Sequence, residues 1–234
     1  MSRQSVLFED LGTLSYKDAW DYQEQLLQQN LRAKAGGVAV ETEHRFLMVE
    51  HPPVYTLGKS GKEEHVLINE DDRVRLGIEY FKTNRGGDIT FHGPGQIVGY
   101  PILDLEKFYT DIGKYLRSLE EVIILTLAQY GIKGDRSPGE TGVWIDPNIK
   151  GRERKICAMG VRCSRWITMH GFAFNVNTDL AFFDHIVPCG IHDKQVTSLQ
   201  KELGHLLPME EVKEKVRSNF ELVFDADLQK SFGM

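Results

Sequence analysis

Cys189 sits in Pro188-Cys189-Gly190-Ile191, between two residues that shape backbone rather than inside an apolar run, and a thiol so placed is a candidate nucleophile. At an unperturbed pKa of about 8.5, only about 3% of a cysteine is thiolate at pH 7. Lowering that pKa to about 7 takes roughly 2 kcal/mol of preferential thiolate stabilisation; a nearby cation at an effective dielectric of about 20 supplies about 4 kcal/mol before desolvation. Lys155, His92 and His170 are the candidate cations, and the local sequence leaves all three open. Lys155 opens Lys-Ile-Cys-Ala-Met-Gly-Val-Arg-Cys, where small Ala158 and Gly160 leave room for a ligand; the plain alternative is a solvated charge on a strand edge. His92 is either a general base or a hydrogen-bonded loop histidine, and His170, before Gly171-Phe172-Ala173-Phe174, reads as structural. Cys157 and Cys163 fall in a strand pattern and read as small buried hydrophobes.

Something must hold these groups together. The stretch from Arg85 to Gln96 packs four glycines, Pro94, Arg85, Asp88 and His92 into twelve positions ahead of the apolar run Ile97-Val98-Gly99-Tyr100-Pro101-Ile102-Leu103. Glycine admits close approach to the main chain, so the pattern predicts a binding loop at the end of a strand; Arg85 and Asp88 are a solvated pair or a clamp for a carbonyl or carboxylate. Helical periodicity runs through Tyr16, Trp20, Leu27 and Leu31 after a Ser15 cap and stops at Gly36-Gly37. Strands are expected at 45–50, 54–58, 79–82 and 96–103, with 59–72 as polar loop. A long helix should start near Asp111 and end by Gly131. Residues 142–145, 155–163 and 166–175 read as an antiparallel meander, and Val212, Val216, Phe220 and Phe224 mark a C-terminal helix. Grouped strands without regular βαβ alternation indicate an α+β domain on a mixed sheet, a single unit over 1–234 with its core at roughly 30–224.

Composition excludes several classes. A formal net charge of −6 argues against nonspecific nucleic-acid binding, and no apolar run is long enough to span a membrane. Met1-Ser2-Arg3-Gln4-Ser5 lacks a secretion-signal core, and three cysteines are an odd number for a disulfide framework; both point to the cytoplasm. Neither the cysteines nor the eight histidines are spaced as metal ligands, and there is no phosphate-loop pattern.

Arg-Gly-Gly-Asp-Ile-Thr-Phe-His-Gly-Pro-Gly-Gln (85–96), Lys-Ile-Cys-Ala-Met-Gly-Val (155–161), His-Gly-Phe-Ala-Phe-Asn-Val-Asn (170–177) and Pro-Cys-Gly-Ile (188–191) together resemble the lipoyl(octanoyl) transferase family. Their order, and the 34 positions between Lys155 and Cys189, make the resemblance specific; Pro52 to Gly58 and Val196 to Leu199 fit it too. Phe91 departs from the family's usual tyrosine.

The resemblance implies the fold of biotin and lipoate ligases: a mixed, largely antiparallel sheet flanked by helices. It implies transfer of an octanoyl group from acyl carrier protein to a lysine on lipoyl domains of 2-oxoacid dehydrogenase complexes and on the glycine cleavage H protein. Cys189 would carry the acyl thioester and Lys155 would lower its pKa, with no ATP and no metal. Substrate contacts would fall on Arg85, Gly86, Gly87, Asp88, Ile89, Thr90, Phe91 and His92, on Ala158, Met159 and Gly160, and on Gly171, Phe172 and Ala173. Either Lys155 or His92 would take the acceptor lysine's proton. The rivals are an ATP-dependent lipoate or biotin ligase, which has no use for the Cys189 thiol, and a noncatalytic acyl- or lipoyl-domain-binding module. Between Lys150 and Arg165 six cations stand against one anion, Glu153, and this stretch is expected to dock an acidic carrier or lipoyl domain.

Overall fold

The computed structural model describes residues 3–36, 41–187 and 195–230, with the Lys230 side chain left out. The chain opens with β1 (Gln4–Thr13) and α1 (Tyr16–Ala35). Ser15 caps α1 by accepting from the Asp18 amide, and the helix stops at Gly36; Gly37 lies outside the described residues. The buried stripe of α1 includes polar Gln23 and Asn30, which hydropathy alone does not mark. β2 (His44–Glu50) returns parallel to β1, so β1–α1–β2 is a βαβ unit. β1 was not expected, since its strand partners are distant in sequence; its Val6 is fully buried.

β3 (Val54–Leu57) leads to α2 (Glu70–Arg75) and β4 (Glu79–Lys82). The expected loop at 59–72 thus holds a 3-10 turn at Glu63–His65 and the start of α2, capped by Asn69. α2 buries no side chain and so carries no apolar stripe to betray it. Within the expected glycine loop lies another strand, β5 (Ile89–His92), followed by β6 (Gln96–Ile102). β4, β3 and β5 form a small separate sheet.

Asp111 caps α3 (Ile112–Ala128), and Gly131 takes φ +72° just beyond it. β7 (Val143–Ile145), β8 (Arg154–Ser164) and β9 (Ile167–Asn175) make the expected antiparallel meander. β10 (Gln195–Val196), α4 (Leu199–Leu203), α5 (Met209–Phe224) and β11 (Ala226–Lys230) complete the chain. The main sheet runs β10-β8-β9-β6-β2-β1-β11, with β7 also on β8. It is antiparallel through the middle and parallel where β10 meets β8 and where β1 meets β2 and β11.

Strand alternation builds two cores, one on each face of this sheet. Phe46 and Met48 of β2, Ile97 of β6 and Phe172 and Phe174 of β9 pack under α3 and α5. Their neighbours Leu47, Val49, Val98, Tyr100 and Ala173 pack under α1 with Leu26 and Leu27. Val6, Ala19 and Ala226 belong to these cores, which therefore extend past the expected limits of 30–224.

Candidate active site

A cavity of about 530 Å³ opens where the loop before β5 crosses the edge of β8. Gly86 donates its N–H to the Val161 carbonyl at 2.9 Å, tying that loop to the strand. Gly160 permits the crossing: a Cβ there would lie 2.7 Å from the Gly86 oxygen. Arg85, Gly86, Gly87, Asp88, Ile89, Thr90, His92, Ala158, Met159, Gly160, Gly171, Phe172 and Ala173 all line this cavity, together with Lys155. Phe91 does not line it. Its ring is buried in the small sheet's apolar cluster, stacked on Phe182 at 4.6 Å between centroids and edge-on to Phe183.

Arg85 is buried and its guanidinium is spent on the protein: Nη2 donates to the Thr56 carbonyl at 2.5 Å and to Thr56 Oγ1 at 2.8 Å, and Nη1 to the Gly86 carbonyl at 3.0 Å. Asp88 accepts from Ile89 N at 2.7 Å and faces His65 Nδ1 at 2.6 Å. These contacts make Arg85 and Asp88 the frame of the loop rather than a solvated pair.

Proton positions around His92 follow from its neighbours. Gln96 Nε2 donates to the Phe91 carbonyl at 3.0 Å and to Asn175 Oδ1 at 2.9 Å, so Gln96 Oε1 is the acceptor for His92 Nδ1–H at 2.9 Å. His92 Nε2 then accepts from the Thr56 hydroxyl at 3.2 Å, the same oxygen that receives Arg85. Complete burial, followed by the nearby His51 and Arg85, pushes the His92 pKa well below its usual range. His92 is therefore a neutral link in a fixed chain of hydrogen bonds, with its basic lone pair occupied, and is ill suited to remove a proton. His170 is neutral as well: burial first, then Arg85 and Arg162, lower it to about 3. Its Nε2 donates to Asn84 Oδ1 at 2.7 Å, and its backbone holds φ +60° with the N–H given to Gln23 Oε1 at 3.0 Å. Neither histidine can act as counter-cation to a thiolate, which leaves Lys155 among the three candidates.

Lys155 is half-buried at the start of β8, with Nζ 4.6 Å from the ring centroid of Trp144. Val196 of β10 lies opposite it in register, and the Lys155 carbonyl accepts from Thr197 N at 2.9 Å. Cys189 lies outside the described residues, as does the rest of Pro188 to Ile191. Burial raises Cys157 well above the ordinary thiol range, and Cys163 less far, so neither is a ready thiolate.

Sequence reasoning missed the cavity's aromatic wall. Tyr16 of α1 stacks on His92 at 5.8 Å, with its phenol pushed up to about 12 by burial. Tyr100 donates to His51 Nε2 at 2.8 Å, and His51 passes its Nδ1–H to the Leu14 carbonyl. Both tyrosines fall on stripes that read as ordinary core. Ile112 and Leu116 of α3 and the segment Gly139-Glu140-Thr141 also reach the cavity, contacts set by tertiary packing.

The basic stretch from Lys150 to Arg165 does not form one surface. β8 is 11 residues long, so its ends are about 35 Å apart. Arg154 is engaged by Glu202 and Asp146, and Arg162 by Glu24, through ion pairs of 2.6 to 2.8 Å. The expected docking patch is thus split and partly neutralised.

Among the described residues, no group of three or more His, Cys, Asp or Glu side chains is placed to hold a metal ion, and no helix is long and apolar enough to cross a membrane. Residues 15–221 match the family model described as the lipoyl protein ligase A/B catalytic domain. The chain is 55% identical to an octanoyltransferase of Christiangramia forsetii over 97% of its own length and 98% of the relative's. It is 57% identical to an octanoyltransferase of Flavobacterium psychrophilum, over 95% and 97% of the two chains. In three dimensions it is similar to the bipartite lipoate protein ligase of Thermoplasma acidophilum, with a TM-score of 0.69 at 15% identity over 99% of this chain and 87% of that one.

Proposed function

We propose, for a chain that belongs to the lipoyl protein ligase A/B catalytic-domain family, that it is an octanoyltransferase of protein lipoylation working through a cysteine thioester. The observation that carries this reading is that Lys155 and thirteen of the fourteen expected contact residues line one cavity. Its volume of about 530 Å³ suits an acyl chain with a polar head, and Ala158, Gly160, Gly171 and Ala173 leave that space open.

The donor is octanoyl-acyl carrier protein. The Cys189 thiolate, stabilised by the Lys155 ammonium, attacks the thioester carbonyl; the new S–C bond forms as the carrier's C–S bond breaks, and the departing carrier thiolate takes the proton from Lys155, which is left neutral. One thioester replaces another, so the step is close to balanced and needs no ATP. The acceptor lysine, on a lipoyl domain of a 2-oxoacid dehydrogenase complex or on the glycine cleavage H protein, then attacks the acyl carbon. Its N–C bond forms as the bond to Cys189 breaks, and amide formation drives the second step forward. Lys155 takes the acceptor's proton, since the His92 lone pair is committed to Thr56. Main-chain N–H groups of the glycine-rich loop stabilise the oxyanions. The reaction takes place in the cytoplasm.

Purified protein mixed with octanoyl-acyl carrier protein and a lipoyl domain, without ATP, should yield octanoyl-lysine on the acceptor. Product that forms from free octanoate only when ATP is added would instead make the protein a ligase. Acyl carrier bound without product would make it a binding module.

A further inference from the structure

β7 pairs with β8 out of regular register. Val143 faces Cys157 while Trp144 faces Lys155, so β8 takes up an extra residue in a bulge. Burial shows the consequence: Ile156 and Cys157, neighbours that would normally point to opposite faces, are both fully buried in the core under α3 and α5. The residue immediately before this irregularity is Lys155.

The segment facing Lys155 is pinned at several points. Trp144 exchanges both backbone hydrogen bonds with Asp135 at 2.9 Å. Gly142 N–H donates to Glu120 Oε1 at 3.0 Å, and Glu120, fully buried on α3, holds Arg136 and Arg117 on its other oxygen at 2.9 and 2.8 Å. A buried carboxylate of this kind is poor evidence of stabilisation, because desolvation offsets most of the attraction, but it does fix position. Gly142 sits at φ +118°; a Cβ there would lie 2.6 Å from the Cys157 carbonyl oxygen and 3.6 Å from Lys155 Cδ and Cε. The lysine stem therefore runs past bare backbone, and its Nζ rests 4.6 Å from the centre of a buried indole.

We propose that Trp144 is a positioning residue for Lys155: the negative face of its indole holds the ammonium in the cavity wall. The inference rests on the octanoyl-transfer reading only for what Lys155 does once it is held there.

Competitive acetylation of Lys155 by acetic anhydride, read by peptide mass spectrometry against the other lysines, tests this without any acyl donor. In Trp144→Leu, Lys155 should react about fivefold faster near pH 7.5, because its amine is no longer held against the ring. Trp144→Phe keeps an aromatic face and should lie close to wild type. Wild-type labelling in Trp144→Leu overturns the proposal, as does an equal gain in Trp144→Leu and Trp144→Phe, which reports access rather than the aromatic face. In octanoyl transfer, Trp144→Leu should lose about tenfold or more in kcat with KM for the donor within about twofold, and Trp144→Phe should recover most of it. Equal losses in both variants would mean that side-chain shape, not the aromatic face, is what matters, and would also overturn it. A wild-type protein that transfers no octanoyl group removes the transfer reading and leaves the labelling result to decide on Trp144.

Discussion

The buried histidines beneath the glycine-rich loop should make this protein acid-labile in a window set by them alone. His51 is lowered to about 4 and His170 to about 3, in both cases chiefly by burial, while His92 is pushed well below its usual range and His44 also falls. A histidine depressed in the folded state contributes stability that is full above its unfolded pKa of about 6.5 and is lost as pH falls toward the folded value. Between pH 8 and pH 5, His51 and His170 each account for about 2 kcal/mol by this linkage. Their sum, about 4 kcal/mol, is a large part of the 5–15 kcal/mol typical of a folded protein of this kind. His92 and His44 act in the same direction. Paired carboxylates such as Asp146 and Glu202, whose pKa values are lowered by Arg154, lose their contribution only below about pH 4.5 and leave this window clear. Urea unfolding at several pH values between 8 and 5 should show uptake of about two or more protons near pH 5.5. Replacing His51 or His170 with Gln should remove about one proton each from that slope, whatever the variant does to absolute stability. A flat stability between pH 6.5 and 5, or a slope unchanged in both variants, would refute the neutral-histidine account and with it the case against His92 as a base.

Two further outcomes follow from the cavity walls. Gly160→Ala places a Cβ 2.7 Å from the Gly86 oxygen; overpacking of about 1–3 kcal/mol should lower Tm by roughly 3–10 °C and raise KM for the donor, measured by thermal melts and initial rates. Ala173→Leu fills cavity volume between β6 and β8, so kcat/KM should shift toward acyl chains shorter than octanoyl; an unchanged chain-length profile would place the chain elsewhere.

Much of the fold was legible because hydrophobic period and caps agreed. Ser15 and Asp111 mark the starts of α1 and α3 by their own side-chain hydrogen bonds, and Gly36 marks the end of the first. β1 and β11 escaped because their partners are distant in sequence: Val6 pairs with Leu228 and with His44. α2 escaped because it buries nothing. The motif residues of the cavity could be read as a set, since glycines, small residues and an arginine record close backbone crossings. Tyr16, Tyr100 and His51 were hidden, because a buried polar tip leaves no mark on a hydropathy pattern until its partner is known. The charge run from Lys150 to Arg165 misled for a related reason. Adjacency along an extended strand is separation in space, and Glu202 and Glu24, which neutralise two of its arginines, come from other elements.

The central claim is that the octanoyl group rides on Cys189 with Lys155 beside it. Intact-mass measurement after mixing the protein with octanoyl-acyl carrier protein, in the absence of acceptor, tests this directly. The account predicts a single octanoyl adduct that peptide mapping assigns to Cys189, that vanishes in Cys189→Ala and that forms at least tenfold more slowly in Lys155→Ala. An adduct on another residue, or one formed at the wild-type rate in Lys155→Ala, would contradict it.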